Sequence, residues 1–193
     1  LRRGRCISQW ISAAQSIVTA APTSVVAGAA TSTITVTVRD ASNNPIAGAT
    51  VVLAATGTGN TLTQPAAVTN ASGVTTGTIA STVSEAKTVT ATADAVALTD
   101  NAIVTVIAGA VSAAQSSVAA SPTSIVAGAA TSTITVTARD AIGNPIAGAT
   151  VVIAATGTGN TVVQPVGVTN ASGVATGTVA STVAAAKTVS VTI

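Results

Sequence analysis

Apolar and hydroxyl-bearing residues alternate along much of this chain. At Thr33-Ile34-Thr35-Val36-Thr37-Val38, three β-branched apolar side chains fall on one face and three threonines on the other. That period predicts a strand with a buried inner face and a wet outer one. The same period predicts strands over residues 49–54, 74–81, 88–93 and 102–107, and a weaker one near 15–20 that continues after Pro22. Strands about ten residues apart with turn residues between them are the pattern of an antiparallel sandwich. No stretch sustains a helical period.

The gaps carry readable turn chemistry. In Asp40-Ala41-Ser42-Asn43-Asn44-Pro45, the proline presets a turn dihedral and the Asp and Asn side chains suit bonds to nearby backbone amides. Gly48 marks the entry to the next strand, Thr56-Gly57-Thr58-Gly59-Asn60 reads as a flexible loop, and Gly73 closes the tight turn Asn70-Ala71-Ser72-Gly73 with a positive φ. Gly77 lies inside a strand pattern, which predicts a bulge or a close approach of the facing sheet.

All of this happens twice. Residues 12–93 return as 112–193 at a spacing of 100, with 63 of 82 positions identical. The chain therefore reads as a leader, residues 1–11, a first repeat, 12–111, and a second, 112–193. Ala108-Gly109-Ala110 is a short joint that favours semi-rigid linkage. The second repeat stops at Ile193, the equivalent of Ala93, so it is expected to lack the last strand and to belong to a longer array. A module copied head to tail adds length, valency or reach more readily than it adds a catalytic pocket.

Composition narrows the chemistry. The apolar 48% is carried by Ala and Val with no Phe, Tyr or Met, and Trp10 lies outside the repeats, so each core is expected to be thin. Charged residues make up 6%, which leaves Thr, Ser, Asn and Gln to solvate the surface. The net charge of +2 comes from Arg2, Arg3 and Arg5 in the leader, and the first repeat sets Arg39 and Lys87 against Asp40, Glu85, Asp94 and Asp100. Neither a basic stripe nor an aromatic platform is present, which argues against nucleic acid as a partner. Apolar runs are broken by Thr, Ser or Asn well short of a bilayer span. Cys6 has no partner for an internal disulfide, and arginines occupy the lipobox positions before it.

Candidate sites are few. Arg39-Asp40, repeated as Arg139-Asp140, reads as a strand-end ion pair and turn cap, or else as part of a binding edge. With no histidine, Lys87 and Lys187 are the only lysines to stand beside scattered acids, too little for an activated nucleophile, so no catalytic residue is assigned. Asp94 and Asp100, near the joint, are the conceivable calcium ligands, but two carboxylates separated by apolar residues read better as solvated loop charges, and neither metal nor cofactor is assigned. Thr56-Gly57-Thr58-Gly59-Asn60 lacks the lysine and helix of a phosphate loop. Asn70-Ala71-Ser72 and Asn170-Ala171-Ser172 fit a glycosylation pattern, yet the turn demands the same residues.

Three ordered blocks carry a resemblance. The Thr/Val strand ending in Arg39-Asp40, then Asn44-Pro45-Ile46-Ala47-Gly48-Ala49-Thr50-Val51, then Val68-Thr69-Asn70-Ala71-Ser72-Gly73-Val74, is similar to the bacterial immunoglobulin-like group 1 domains of the invasin and intimin adhesins, and both repeats carry all three. The resemblance implies an all-β fold of tandem immunoglobulin-like sandwiches and a rod-like stalk that displays a distal binding domain. It also implies extracellular placement on a bacterial cell, anchored in the outer membrane through a region not present here. Leu53 and Ile153 stand where relatives often carry Phe. The partners so implied are neighbouring repeats and, through other domains, a host receptor or glycan. Two alternatives stay open: direct binding of protein or glycan by the repeats, and a noncatalytic repeat attached to a secreted enzyme.

Overall fold

The computed structural model describes residues 10–193, and among these every regular element is a strand. The chain forms two compact units that divide between Ile107 and Ala108. Cys6 and residues 1–9 of the leader lie outside the described residues. Ile11, read above as leader, makes an antiparallel bridge to Asp40 and packs on the first core, as Val111 bridges Asp140 in the second unit.

In the first unit, β1 (Ile17–Ala21), β3 (Ser32–Thr37), β6 (Val74–Ser81) and β5 (Asn60–Thr63) form one sheet in the order β1-β3-β6-β5. Facing it is a sheet ordered β2-β8-β7-β4, from β2 (Ser24–Val26), β8 (Val96–Ile107), β7 (Ala86–Ala93) and β4 (Val51–Ala55). The alternation does what the pattern predicts: Ile34, Val36 and Val38 are buried while Thr33 is exposed and Thr35 and Thr37 are half-buried. With Val89, Val104 and Ile79 they fill the space between the sheets. The continuation after Pro22 is not one strand. The chain crosses at that proline, so β1 pairs antiparallel with β3 and β2 pairs parallel with β8.

Three features differ from the sequence reading. β5 is a strand where a flexible loop leads directly into a Pro-containing segment, and its four residues are too few to show a period. β8 runs twelve residues because the polar pair Asp100-Asn101 hides the continuity of its first half. Asp94 and Ala95, at φ 43° and 69°, make the two-residue turn that joins β7 to β8, so Asp94 sits in a hairpin and not at the joint. Gly77 needs no bulge. A Cβ there would lie 2.5 Å from the Thr63 carbonyl oxygen and 2.7 Å from Leu53 Cδ1, and Gly177 faces Val163 and Ile153 at the same distances.

In the second unit, β12 (Asn160–Val163), β13 (Val174–Ser181), β10 (Thr131–Thr137) and β9 (Ser117–Ser121) repeat the first sheet strand for strand. The facing layer is only β11 (Val152–Ala155) paired with β14 (Val189–Thr192). The second sandwich lacks the last strand, as expected. The place that β8 fills in the first unit is a cavity of about 360 Å³ lined by Ala120, Ile134, Val179, Lys187 and Val189, among others.

Candidate functional site

The residues singled out above are spent on the backbone. Asp40 Oδ1 accepts from the amides of Ser42 (2.9 Å) and Asn44 (2.8 Å), and its Oδ2 accepts from Asn44 Nδ2 (2.9 Å). These bonds, led by the Asn44 side chain, hold the Asp40 carboxyl below its ordinary pKa. Arg39 does not pair with its neighbour: its Nη1 donates to the Asn43 carbonyl (2.9 Å), because adjacent strand residues point to opposite faces. In the second unit Arg139 Nη1 donates to Gly143 O (2.6 Å). Asp140 is buried and also receives the amide of Gly109 at 3.0 Å. Burial pushes its pKa up, but the hydrogen bonds from Asn144, Gly109 and Ile142 outweigh it and hold the carboxyl below its usual value.

Asp94 is exposed in its turn, and Asp100 is half-buried within β8. Asp94 Oδ1 accepts the Thr50 amide and Asp100 Oδ2 the Val18 amide, each at 2.9 Å. Each carboxylate ties β7 or β8 to a strand entrance far away in sequence, and among the described residues no cluster of three metal-ligating side chains occurs. Asn70 Oδ1 accepts the amides of Ser72 (2.9 Å) and Val74 (3.0 Å), so the Asn70-Ala71-Ser72 segment is a closed turn, with Gly73 at φ 74°.

Lys87 is the surprise. It is fully buried, donating to the Thr58 carbonyl (2.6 Å) and to the Glu85 carboxylate, which also accepts the Thr58 amide (3.1 Å). The Lys87 hydrogen bond is the main reason the Glu85 pKa is lowered. A signal was present in the sequence: Lys87 has the same strand parity as the buried Val89, Ala91 and Ala93. Gly57, at φ 78°, allows the loop to close over it, since a Cβ there would meet both the lysine and Glu85. The copy, Lys187, is half-buried, finds only Thr158 O (2.8 Å), and has Ala185 where Glu85 stands.

The sequence reading also passed over Gln64. Its Oε1 accepts the Leu53 amide (2.7 Å) and its Nε2 donates to the Leu53 carbonyl (2.9 Å), and Gln164 does the same for Ile153 at 2.8 and 2.7 Å.

This two-sheet scaffold, with its Asp and Asn turn caps repeated at a fixed spacing, has known counterparts. Residues 15–107 match the bacterial Ig-like domain (group 1) family and residues 112–193 the family of invasin domain 3. The chain belongs to the bacterial Ig-like domains of the invasin and intimin adhesins. Among solved structures, InvD of Yersinia pseudotuberculosis is 33% identical with a TM-score of 0.75, over 93% of this chain and 53% of that one. Invasin, described as a bacterial integrin-binding protein, is 26% identical with a TM-score of 0.73, over 94% of this chain and 37% of its own. The Escherichia coli adhesin FdeC is 26% identical with a TM-score of 0.59, over 89% and 57%. This chain thus spans about half the length of InvD. No curated protein sequence matches it. As invasin-type domains, the two units share a scaffold with parts of these longer chains.

Proposed function

We propose that the two units are spacer domains of a bacterial surface adhesin, displayed outside the cell and carrying a binding domain located elsewhere in the same protein. The observation that carries this reading is the use of charge. Each of the nine charged side chains among the described residues, Arg39, Asp40, Glu85, Lys87, Asp94, Asp100, Arg139, Asp140 and Lys187, bonds the backbone of its own unit. Groups consumed in this way hold turns and strand entrances and do not converge on a ligand or a reacting atom. The same arrangement and the kinship with InvD and invasin support a noncatalytic role with reach as its product.

Two measurements test it. Removing or duplicating these units in the parent adhesin is expected to change adhesion across a polymer brush of fixed thickness while leaving the affinity of the isolated binding domain unchanged. The purified 193-residue chain is expected to show no saturable binding to host cells; saturable binding overturns the spacer reading in favour of direct recognition. One observation favours that second reading. In the second unit Val163, Val166 and Val168 are all exposed, where the first unit carries Thr63, Ala66 and Val68.

A further inference from the structure

The β4 strand lies at the edge of its sheet, and its sequence does nothing to protect it. Val51-Val52-Leu53-Ala54-Ala55 holds no charge, no proline and no bulge, and Val52 is more than half exposed on its outer face. An uncharged β-branched edge of this kind is a template for pairing with another chain. Alternate residues of the strand aim their backbone groups in opposite directions. Thr50 accepts from Asp94 N, and Thr56 N donates to Thr88 O, so the even-numbered residues bond β7 and the odd-numbered ones face outward.

Two of those outward-facing residues, Ala49 and Leu53, are covered by the segment that follows. Thr69 Oγ1 accepts the Ala49 amide and Thr69 N donates to the Ala49 carbonyl, both at 2.9 Å. Four residues on, Gln64 takes both the amide and the carbonyl of Leu53. A primary amide presents one donor and one acceptor side by side, so it reproduces the pair of bonds that an antiparallel neighbour strand would make. The second unit repeats the arrangement, with Thr169 on Ala149 and Gln164 on Ile153.

We propose that Gln64 and Gln164 close the β4 and β11 edges against antiparallel pairing with a second copy of this chain. The partner fits by identity: two β4 strands side by side exchange the same bonds that Gln64 now makes and bring two exposed Val52 side chains onto one face.

The test reads the Leu53 amide by NMR hydrogen exchange in the 193-residue chain over a dilution series, with sedimentation velocity in parallel. In the unmodified chain its protection is expected not to depend on concentration. In Gln64→Ala it is expected to fall at least about fivefold when dilute, the loss of one hydrogen bond. Protection then returns at high concentration as dimers form beyond those of the unmodified chain. Adding Val52→Lys is expected to abolish that return by placing like charges on the paired face, and Gln64→Glu to show none of it. Should the alanine variant fail to fold, Gln64→Ser, polar but too short to reach Leu53, gives the same readout. A folded Gln64→Ala or Gln64→Ser chain whose Leu53 exchange stays independent of concentration overturns the proposal, as does association that Val52→Lys leaves intact.

Discussion

Two stretches of nearly the same sequence, residues 17–93 and 117–193, end in different degrees of order. Ser24-Val25-Val26 is a strand with Val25 buried; Ser124-Ile125-Val126 is not a strand, and Val126 is exposed. β7 begins at Ala86, whereas β14 begins three places later in the repeat, at Val189. The missing residues are those that β8 pairs in the first unit: Ala86 with Thr105, Lys87 with Val104, Thr88 with Ile103. Strand character here is conferred by a partner strand more than by local propensity. Burial follows the same rule, since eighteen side chains form the first core and six the second, and the difference converts into stability.

The largest effect should come from supplying the partner. Appending a copy of residues 94–107 after Ile193 should place equivalents of Leu98, Ala102, Val104 and Val106 over the second core and stabilise it by about 4 to 5 kcal/mol. Urea unfolding should then pass from two transitions toward one; an unmoved lower transition would show that β8 does not account for the difference. Next in size, Ile34→Ala should cost the first unit about 3 kcal/mol. Ile134→Ala should cost the second less, because Ile134 already lines the open cavity. Equal losses of thermal midpoint would mean that the cavity is closed in solution.

A smaller change makes the first unit resemble the second. Glu85→Ala installs the residue found at Ala185, removes both the acceptor for the Thr58 amide and the carboxylate that Lys87 bonds, and should speed exchange of the Thr58 amide several-fold. The smallest effect is one of pH. Asp140 has a lowered pKa in the folded chain, so its contribution is present above the unfolded value near 4 and is lost as pH falls through the folded value. The Gly109 amide should lose protection over that acidic range, and Asp140→Asn should remove the pH dependence while leaving the amides of the second sheet unchanged.

The fold was largely legible because a period of two, read against threonine, names the inner face directly: Ile34, Val36 and Val38 needed no other information. The turn caps Asp40 and Asn70 were legible as well, since each bonds amides two and four residues ahead. What the sequence hid depends on pairing at a distance. Asp100 reaches Val18 across 82 positions and Asp94 reaches Thr50 across 44, and no local pattern names either amide. Gln64 was hidden for the same reason, because its role exists only once β4 is known to be an edge. Lys87 was within reach by parity, but expecting a lysine to be solvated conceals it.

The crossing at Pro22 has a further consequence. It lays β2, near the start of the first unit, parallel to β8 at its end, with Ser24 opposite Thr105, Val25 opposite Val106 and Val26 opposite Ile107. Backbone bonds from Thr105 N to Thr23 O and from Ala27 N to Ile107 O flank that pairing. Tension applied at the two ends of this unit pulls these neighbours in opposite directions along their own axes, so the bonds are sheared together and not peeled one by one. The force at which the unit opens is then set by the joint failure of this short parallel clamp, and a few residues beside a proline govern how much pull the domain withstands.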